Sequence, residues 1–240
     1  MSFWKHAQED PGYIAVIDPD GTEHAAGDVL ARANQVVHAL RSLGMRKGDA
    51  VAAVLPNGSN PFHLYLAALQ AGFYYVPINY RLSPVEIAYI INDAEAKVLV
   101  THERYAETIA AAADEAGVPA EARLADGTVP GFRSFAELVD AQPTTLPEDR
   151  ATGAAMHYTS GTTGKPKGVK RPLNDMDPDT SAELFTFLLQ LFGIPPKGGN
   201  VHLSTSPNYH TAVTTFAGNS LHMGHTVVAM DRWDAEETLR

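Results

Sequence analysis

Between Tyr158 and Val169 the chain reads Tyr-Thr-Ser-Gly-Thr-Thr-Gly-Lys-Pro-Lys-Gly-Val. Three glycines leave the backbone left-handed options and room for a ligand to approach closely. Five hydroxyl side chains fall from Tyr158 to Thr163, and Lys165 and Lys167 follow at once. A loop so dense in N–H and O–H donors, with cations at its exit, suits phosphate oxygens. The flanks agree: no acid lies between Arg150 and Asp175, whereas Lys165, Lys167, Lys170 and Arg171 crowd the C-terminal side. The chain as a whole carries a formal charge of -10, which would repel a polyanion, so the local excess stands out. The spacing is not that of a Walker A loop, which needs glycine five residues before its Gly-Lys pair and Ser or Thr after the lysine. Here Thr159 and Pro166 occupy those positions. A solvated Ser/Thr/Gly surface loop is the plain alternative, and twelve residues in this order exceed it.

The elements around this stretch must deliver it. Tyr13–Ile17 reads as a strand, and Pro19-Asp-Gly21 as the turn returning toward Glu23–Ala25. Apolar residues from Val29 to Leu43 recur at helical spacing before Gly44. Ala50–Leu55 is a continuous apolar run of buried-strand length. Asn60-Pro61 offers a cap and first-turn proline for a helix ending near Gly72, and Ser83-Pro84-Val85-Glu86 is a capping box opening a helix toward Asp93. Lys97–Thr101 is another strand, followed by an alanine-rich helix closing at Gly117. This alternation predicts an α/β fold: layered and doubly wound, with mostly parallel sheets and flanking helices. Residues 118–150, broken by proline and glycine, read as a surface excursion with a short helix at Ser134–Asp140. Ala154–Tyr158 reads as the strand entering the loop. Asp179 or Thr180 is the expected cap of a helix whose Leu184, Phe185, Phe187, Leu188, Leu189, Leu191 and Phe192 cover nearly its whole circumference. That helix is either a core element or one wall of an apolar ligand tunnel. Val201–Thr205 is the next strand, and Ser206–Thr211 breaks from its end, where open α/β sheets collect ligands. Asp231–Asp234 reads as the start of a further helix.

The twelve-residue stretch resembles, without a gap, the phosphate-binding signature of the adenylate-forming superfamily, which includes acyl-CoA synthetases, luciferases and peptide-synthetase adenylation domains. Ala71-Gly-Phe-Tyr-Tyr-Val-Pro-Ile-Asn79 looks like a core segment that acyl-CoA synthetases carry upstream of the loop, and it reads as structural. Pro207-x-Tyr209-His210 looks like the family's second substrate motif, an aromatic–histidine pair beside the reacting carboxylate. The resemblance implies ATP-dependent activation of a carboxylic acid to an acyl-adenylate, then transfer to the thiol of coenzyme A. It gives the ATP phosphates to Thr159, Ser160, Gly161, Thr162, Thr163, Gly164 and Lys167, with the Thr162 hydroxyl also reaching Mg²⁺. Tyr209 and His210 fall to the substrate carboxylate, and His210 and Lys167 to catalysis. The resemblance covers residues 1–240 as the N-terminal part of a large adenylation domain. The downstream magnesium-binding glutamate, ribose-binding aspartate, hinge and lid lysine of known members have no counterpart here, so these residues alone are expected to be inactive.

Composition narrows the rest. With 45% hydrophobic and 19% charged residues the chain is globular, and its 240 residues can bury a sizeable core. The absence of cysteine excludes a disulfide framework, thiolate zinc sites and a cysteine nucleophile. His222 and His225 have a spacing that invites a metal, yet no cysteine or clear carboxylate accompanies them. The N-terminus carries charge too early for a signal peptide, and the Leu184–Phe192 stretch is too short to span a bilayer, so a cytoplasmic location is expected. An acidic total argues against general nucleic-acid binding. The expected substrate is a fatty or similarly apolar acid. Two alternatives stay open: a truncated nucleotide- or acyl-binding module without turnover, and a peptide-synthetase-type adenylation domain. The latter needs an acid to meet the substrate ammonium, and none is visible.

Overall fold

In the computed structural model, which describes residues 1–159, 165–197 and 199–239, Ser2 opens the first element. Its hydroxyl accepts from the Lys5 amide at 3.4 Å and starts α1 (Phe3–Glu9), which buries Phe3, Trp4 and Ala7. β1 (Ile14–Ile17) returns antiparallel to β2 (Glu23–Ala25), and α2 (Ala26–Ser42) turns Val29, Ala33, Val36, Val37 and Leu40 inward at the expected spacing. β3 (Ala50–Val54) is buried along its whole length. α3 (Ser59–Ala71), β4 (Tyr74–Pro77), α4 (Pro84–Asp93), β5 (Ala96–His102) and α5 (Ala106–Glu115) follow. The Ser83–Glu86 capping box is present as expected, with Pro84 in the first turn.

Four expectations about the elements are corrected. α3 begins at Ser59 rather than at an Asn60 cap, because a carboxylate from another loop does the capping: Asp18 accepts from the Ser59 amide at 2.6 Å and from its hydroxyl at 3.0 Å. Residues 118–150 are more than a surface excursion. Besides the expected short helix, α6 (Phe135–Asp140, capped by Ser134), they supply β6 (Arg123–Asp126) and β7 (Arg133–Ser134). Strands of four and two residues carry too little periodicity to be read from sequence, and the pairing of β6 with β5 is what buries Leu124 and Ala125. The strand expected over Ala154–Tyr158 is two pieces: β8 (Ala154–Ala155), parallel to β4, and β9 (Tyr158–Thr159), antiparallel to β10 (Lys167–Gly168). The chain ends with α7 (Pro178–Leu191), β11 (Val201–Ser204), α8 (Thr211–His222) and β12 (Thr226–Ala229). Around Asp231–Asp234 there is no long helix; Asp234 accepts from the Glu236 and Glu237 amides ahead of one turn at Glu237–Leu239.

The larger sheet has the order β7-β6-β5-β3-β4-β8, and every pairing in it is parallel. Such a sheet must be covered on both faces. Alternation along β3 does this: Val51 and Ala53 join a core with α2 and α3, while Ala50, Ala52 and Val54 join a second core with α4 and α5. The first core continues through α2, α3 and α8 to a second sheet of order β11-β12-β1-β2. The fold is therefore a layered α/β architecture with mostly parallel sheets and flanking helices. Among the described residues no helix is long and apolar enough to cross a membrane.

α7 departs from the core-helix alternative. Its cap is Asp177, which accepts from the Asp179 and Thr180 amides, with Pro178 in the first turn. Relieved of capping, Asp179 is buried against Arg150: the guanidinium donates to it at 2.6 Å and lies 4.9 Å from the Trp4 ring. Ser2 donates to the other carboxylate oxygen. Burial pushes the Asp179 carboxyl up, but the Arg150 and Ser2 hydrogen bonds and the Arg150 charge hold it below the usual range. This node joins α1, α7 and the segment entering β8. On the opposite side of α7, Leu184, Phe185, Phe187, Leu188, Leu191 and Phe192 are exposed.

Removing one partner of a buried pair strands the other. Arg150→Ala should therefore lower the unfolding free energy in urea by about 3–5 kcal/mol; an unchanged midpoint would show the node to be dispensable. A second expectation concerns pH. Burial, the largest cause in each case, lowers His6 to about 4, and His63 and His222 to about 3. The unfolded chain takes up these protons near pH 6.5 and the folded one far later, so stability present above that pH is lost as it falls. Each histidine contributes a slope of about 1.4 kcal/mol per pH unit within its window. Denaturation between pH 7 and 4.5 should show this decline, and a His63→Gln variant should show a shallower one.

Candidate functional site

The strands of the larger sheet deliver their following loops to one edge, and two clefts open there. One, of about 630 Å³, is lined by Tyr158, Thr159 and Pro166 of the β9–β10 hairpin and by Tyr209, His210 and Thr211. Its remaining wall comes from Pro77 at the end of β4, Ile78, Asn79 and Leu82 after it, and Glu86 and Ile90 of α4. The Ala71–Asn79 segment, read as structural, thus also lines the cleft. The stem of the glycine-rich loop and the aromatic–histidine pair, about fifty residues apart in sequence, share one cavity. Ser160, Gly161, Thr162, Thr163 and Gly164, including the expected magnesium ligand, lie outside the described residues.

The basic residues after the loop have different surroundings. Lys167 sits in β10 opposite Thr159, is exposed, and has no ion pair among the described residues. Lys165 lies 5.3 Å from the Tyr89 ring, and Lys170 is 3.9 Å from Glu95 and 5.2 Å from the Tyr74 ring. The Tyr158 hydroxyl donates to Asp93 at 2.6 Å, and the Val169 amide donates to His157 O at 2.9 Å.

The Pro207–His210 turn is held by groups that no motif announces. Asn57 donates to Ser206 O at 3.1 Å and to Met230 O at 2.7 Å, and accepts from the Asn208 amide at 2.8 Å. One buried amide side chain thereby ties the loop after β3 to the loops after β11 and β12. Above it runs a row of rings. Tyr105 stacks on Tyr80 at 4.8 Å, Tyr80 meets Tyr209 edge-on at 5.1 Å, and Tyr209 lies 4.5 Å from His210. Edge-on and offset contacts of this kind favour fixed ring orientations. His210 itself is exposed at the start of α8, free to meet a ligand. Beneath the turn, burial lowers His157 from its ordinary value, with Arg171 and His210 adding to the shift and the Tyr209 backbone opposing it. His157 is therefore neutral at physiological pH. Sequence reasoning passed over Asn57, Tyr80, Tyr105 and His157; only Tyr80 carried a signal, since it directly follows the Ala71–Asn79 segment.

The second cleft, about 420 Å³, lies past the ends of β3, β5 and β6, where strand order reverses. Four carboxylates, of Asp18, Asp20, Asp126 and Asp231, line it. Its one arginine, Arg104, donates to Asp231 at 2.5 Å. That wall repels a polyphosphate, so position at a switch point does not outweigh charge. His222 and His225 serve separate partners: the Phe3 amide donates to His222 Nδ1 at 3.2 Å, and His225 Nε2 lies 2.9 Å from Pro195 O. Among the described residues no group of three histidines or acids gathers as a metal site.

Asn57→Ala would take the partner from one buried carbonyl, one partly buried carbonyl and one buried amide. The expected cost is roughly 2–4 kcal/mol in chemical denaturation, from about 1–3 kcal/mol per stranded group with partial relaxation. Wild-type stability together with an unchanged His210 NMR signal would remove Asn57 from this role.

Residues 3–240 match the AMP-binding enzyme family. Long-chain-fatty-acid–CoA ligase FadD13 of Mycobacterium tuberculosis is 31% identical over 96% of this chain and 44% of its own length. The fatty acid–acyl-carrier-protein ligase ScoC of Streptomyces coeruleorubidus is 26% identical over 98% of this chain and 44% of its own. Among solved structures, ATP-bound MatB from Rhodopseudomonas palustris aligns with a TM-score of 0.76 at 26% identity, covering 100% of this chain and 47% of that one. The chain spans somewhat under half the length of these relatives. Its strand order, its glycine-rich hairpin and a match across nearly every residue agree: the chain belongs to the AMP-binding enzyme family.

Proposed function

We propose that this chain supplies the nucleotide-phosphate loop and part of the acid pocket of an ATP-dependent, AMP-forming acid–thiol ligase. In this reading residues 1–240 are the N-terminal part of a large adenylation domain in a protein of the relatives' length. The observation that carries it is the shared cleft: the stem of a donor-rich, acid-free loop opens onto the same cavity as Tyr209 and His210. The reaction needs that juxtaposition. A carboxylate oxygen attacks the α-phosphorus of ATP while the bond to the β-phosphate oxygen breaks and pyrophosphate leaves. The thiol sulfur of coenzyme A then attacks the acyl carbon and AMP leaves. Both first reactants are anions, so the site must offset their repulsion and hold them in line.

The loop donors from Thr159 to Thr163 and the exposed ammonium of Lys167 would hold the β- and γ-phosphates. Magnesium, when bound, neutralises phosphate charge; with no carboxylate cluster in the described wall, its partners here would be the Thr162 hydroxyl and phosphate oxygens. His210, backed by the Tyr105–Tyr80–Tyr209 row, would orient the substrate carboxylate. An amino-acid substrate is disfavoured because Glu86, the one lining carboxylate among the described residues, is engaged by the Ser83 amide at 2.8 Å and hydroxyl at 2.6 Å. The exposed apolar side of α7 favours a fatty or similarly apolar acid. A cytoplasmic setting, with ATP and coenzyme A at hand, suits such chemistry.

In a protein of the relatives' length carrying this chain, Lys167→Ala should reduce kcat/KM for acid-dependent ATP–pyrophosphate exchange by about 2–4 kcal/mol. Full activity in a folded variant would exclude Lys167. His210→Ala should slow adenylate formation while leaving ATP binding nearly intact. The 240 residues alone are expected to bind ATP without catalysing exchange; exchange comparable to the longer protein would overturn the division of labour proposed here.

A further inference from the structure

The last turn of α4 carries no motif, yet it touches the glycine-rich loop on both sides. Before the loop, the Tyr158 hydroxyl donates to Asp93 at 2.6 Å. After it, the Lys165 ammonium lies 5.3 Å from the ring of Tyr89, one helical turn before Asp93. Tyr89 and Asp93 also meet each other, hydroxyl to carboxylate, at 3.4 Å. The helix makes this geometry from spacing alone, since residues four apart stand on one face.

Two further features favour a built contact over an incidental one. A carboxylate at a helix C-terminus faces the negative end of the dipole and is unfavourable there unless donors or cations offset it. Asp93 has the Tyr158 and Tyr89 hydroxyls, with Lys165 on the neighbouring ring. Second, the path of the Tyr158 ring is kept open by Gly168. A Cβ at that glycine would lie 2.7 Å from Tyr158 Cζ and 2.9 Å from its hydroxyl oxygen. The β10 glycine thus allows the β9 tyrosine to reach α4 across the hairpin.

We propose that Asp93 and Tyr89 are positioning residues for the nucleotide-binding loop, clamping both of its stems to the end of α4. The clamp deepens the reading of the loop as a phosphate site and rests on it. Fixing the stems during folding removes ordering that the nucleotide would otherwise have to impose, so the clamp lowers the cost of binding without touching the ligand.

The test is a double-mutant cycle with ATP and Mg²⁺ titrated calorimetrically into the chain. Tyr158→Phe and Asp93→Ala should each weaken ATP by roughly three- to tenfold, the scale of one ordinary hydrogen bond, since the contact acts on binding only through the loop. The double variant should be no weaker than either single one, and Asp93→Asn, which keeps an acceptor, should retain most of the affinity. Full affinity in both single variants, or additive losses in the double, would overturn the clamp. Amide hydrogen exchange at Tyr158–Thr159 and Lys167–Val169 without nucleotide separates this proposal from the functional reading. Faster exchange in Tyr158→Phe and Asp93→Ala, but not in Asp93→Asn, supports the clamp even if no variant binds ATP, in which case the phosphate-site reading is what fails. Unchanged exchange overturns the clamp whatever the nucleotide result.

Discussion

Because β3 pairs in parallel with β4 on one side and β5 on the other, each connection must cross back over a face of the sheet, and each strand must discharge its loop at the same edge. One wall of the candidate site, from Pro77 to Asn79, follows from that geometry. The crossovers α3, α4 and α5 bury both faces, so β3 is apolar throughout and no polar group on it is available for chemistry. Chemistry is confined to the loops past the strand ends. Pro77–Asn79 and Tyr158–Thr159 follow the paired strands β4 and β8 of the larger sheet, whereas Tyr209–His210 follows β11 of the second sheet, so the cleft forms where the two sheets pack together.

Electrostatics then divides that edge. The cleft at the reversal of strand order is lined by four aspartates, and the neighbouring one by hydroxyls, rings and an acid-free stretch of chain. In a protein of formal charge -10, a polyanion is directed as much by where acids are missing as by where bases lie. Buried polar groups hold the arrangement in place. Asn57, largely buried, satisfies three backbone groups on two other loops, and Arg150 with Asp179 joins the N-terminal helix to the segment that feeds the hairpin. Such groups stabilise little when complete and cost much when broken, which suits parts that must specify a single arrangement.

α7 shows the opposite balance. Its polar first turn is buried through Asp179 and Ser181, while phenylalanines and leucines on its far side face outward. A contiguous apolar face of this extent is unusual on a protein surface and marks a place where something apolar rests. In the proposed function that face serves the apolar part of the acid substrate.

The sequence by itself determined the fold class and the order of most helices and strands, and it singled out the two stretches proposed to carry the chemistry. Those signals are local. An apolar run reports a buried strand, Ser83 and Glu86 cap a helix within one turn, and the loop's hydroxyls and glycines are contiguous. Only the tertiary structure decided that the two stretches share a cavity, that β6 and β7 extend the sheet, and that α3 is capped by Asp18, forty-one residues away. It alone revealed Asn57, Tyr80, Tyr105 and Asp93, whose residue types are ordinary and whose meaning lies in their partners. The apolar circumference of α7 was legible as composition, but which side would be covered was not. Burial is a property of the packed neighbours, and a pattern apolar on every side carries no phase from which to read it.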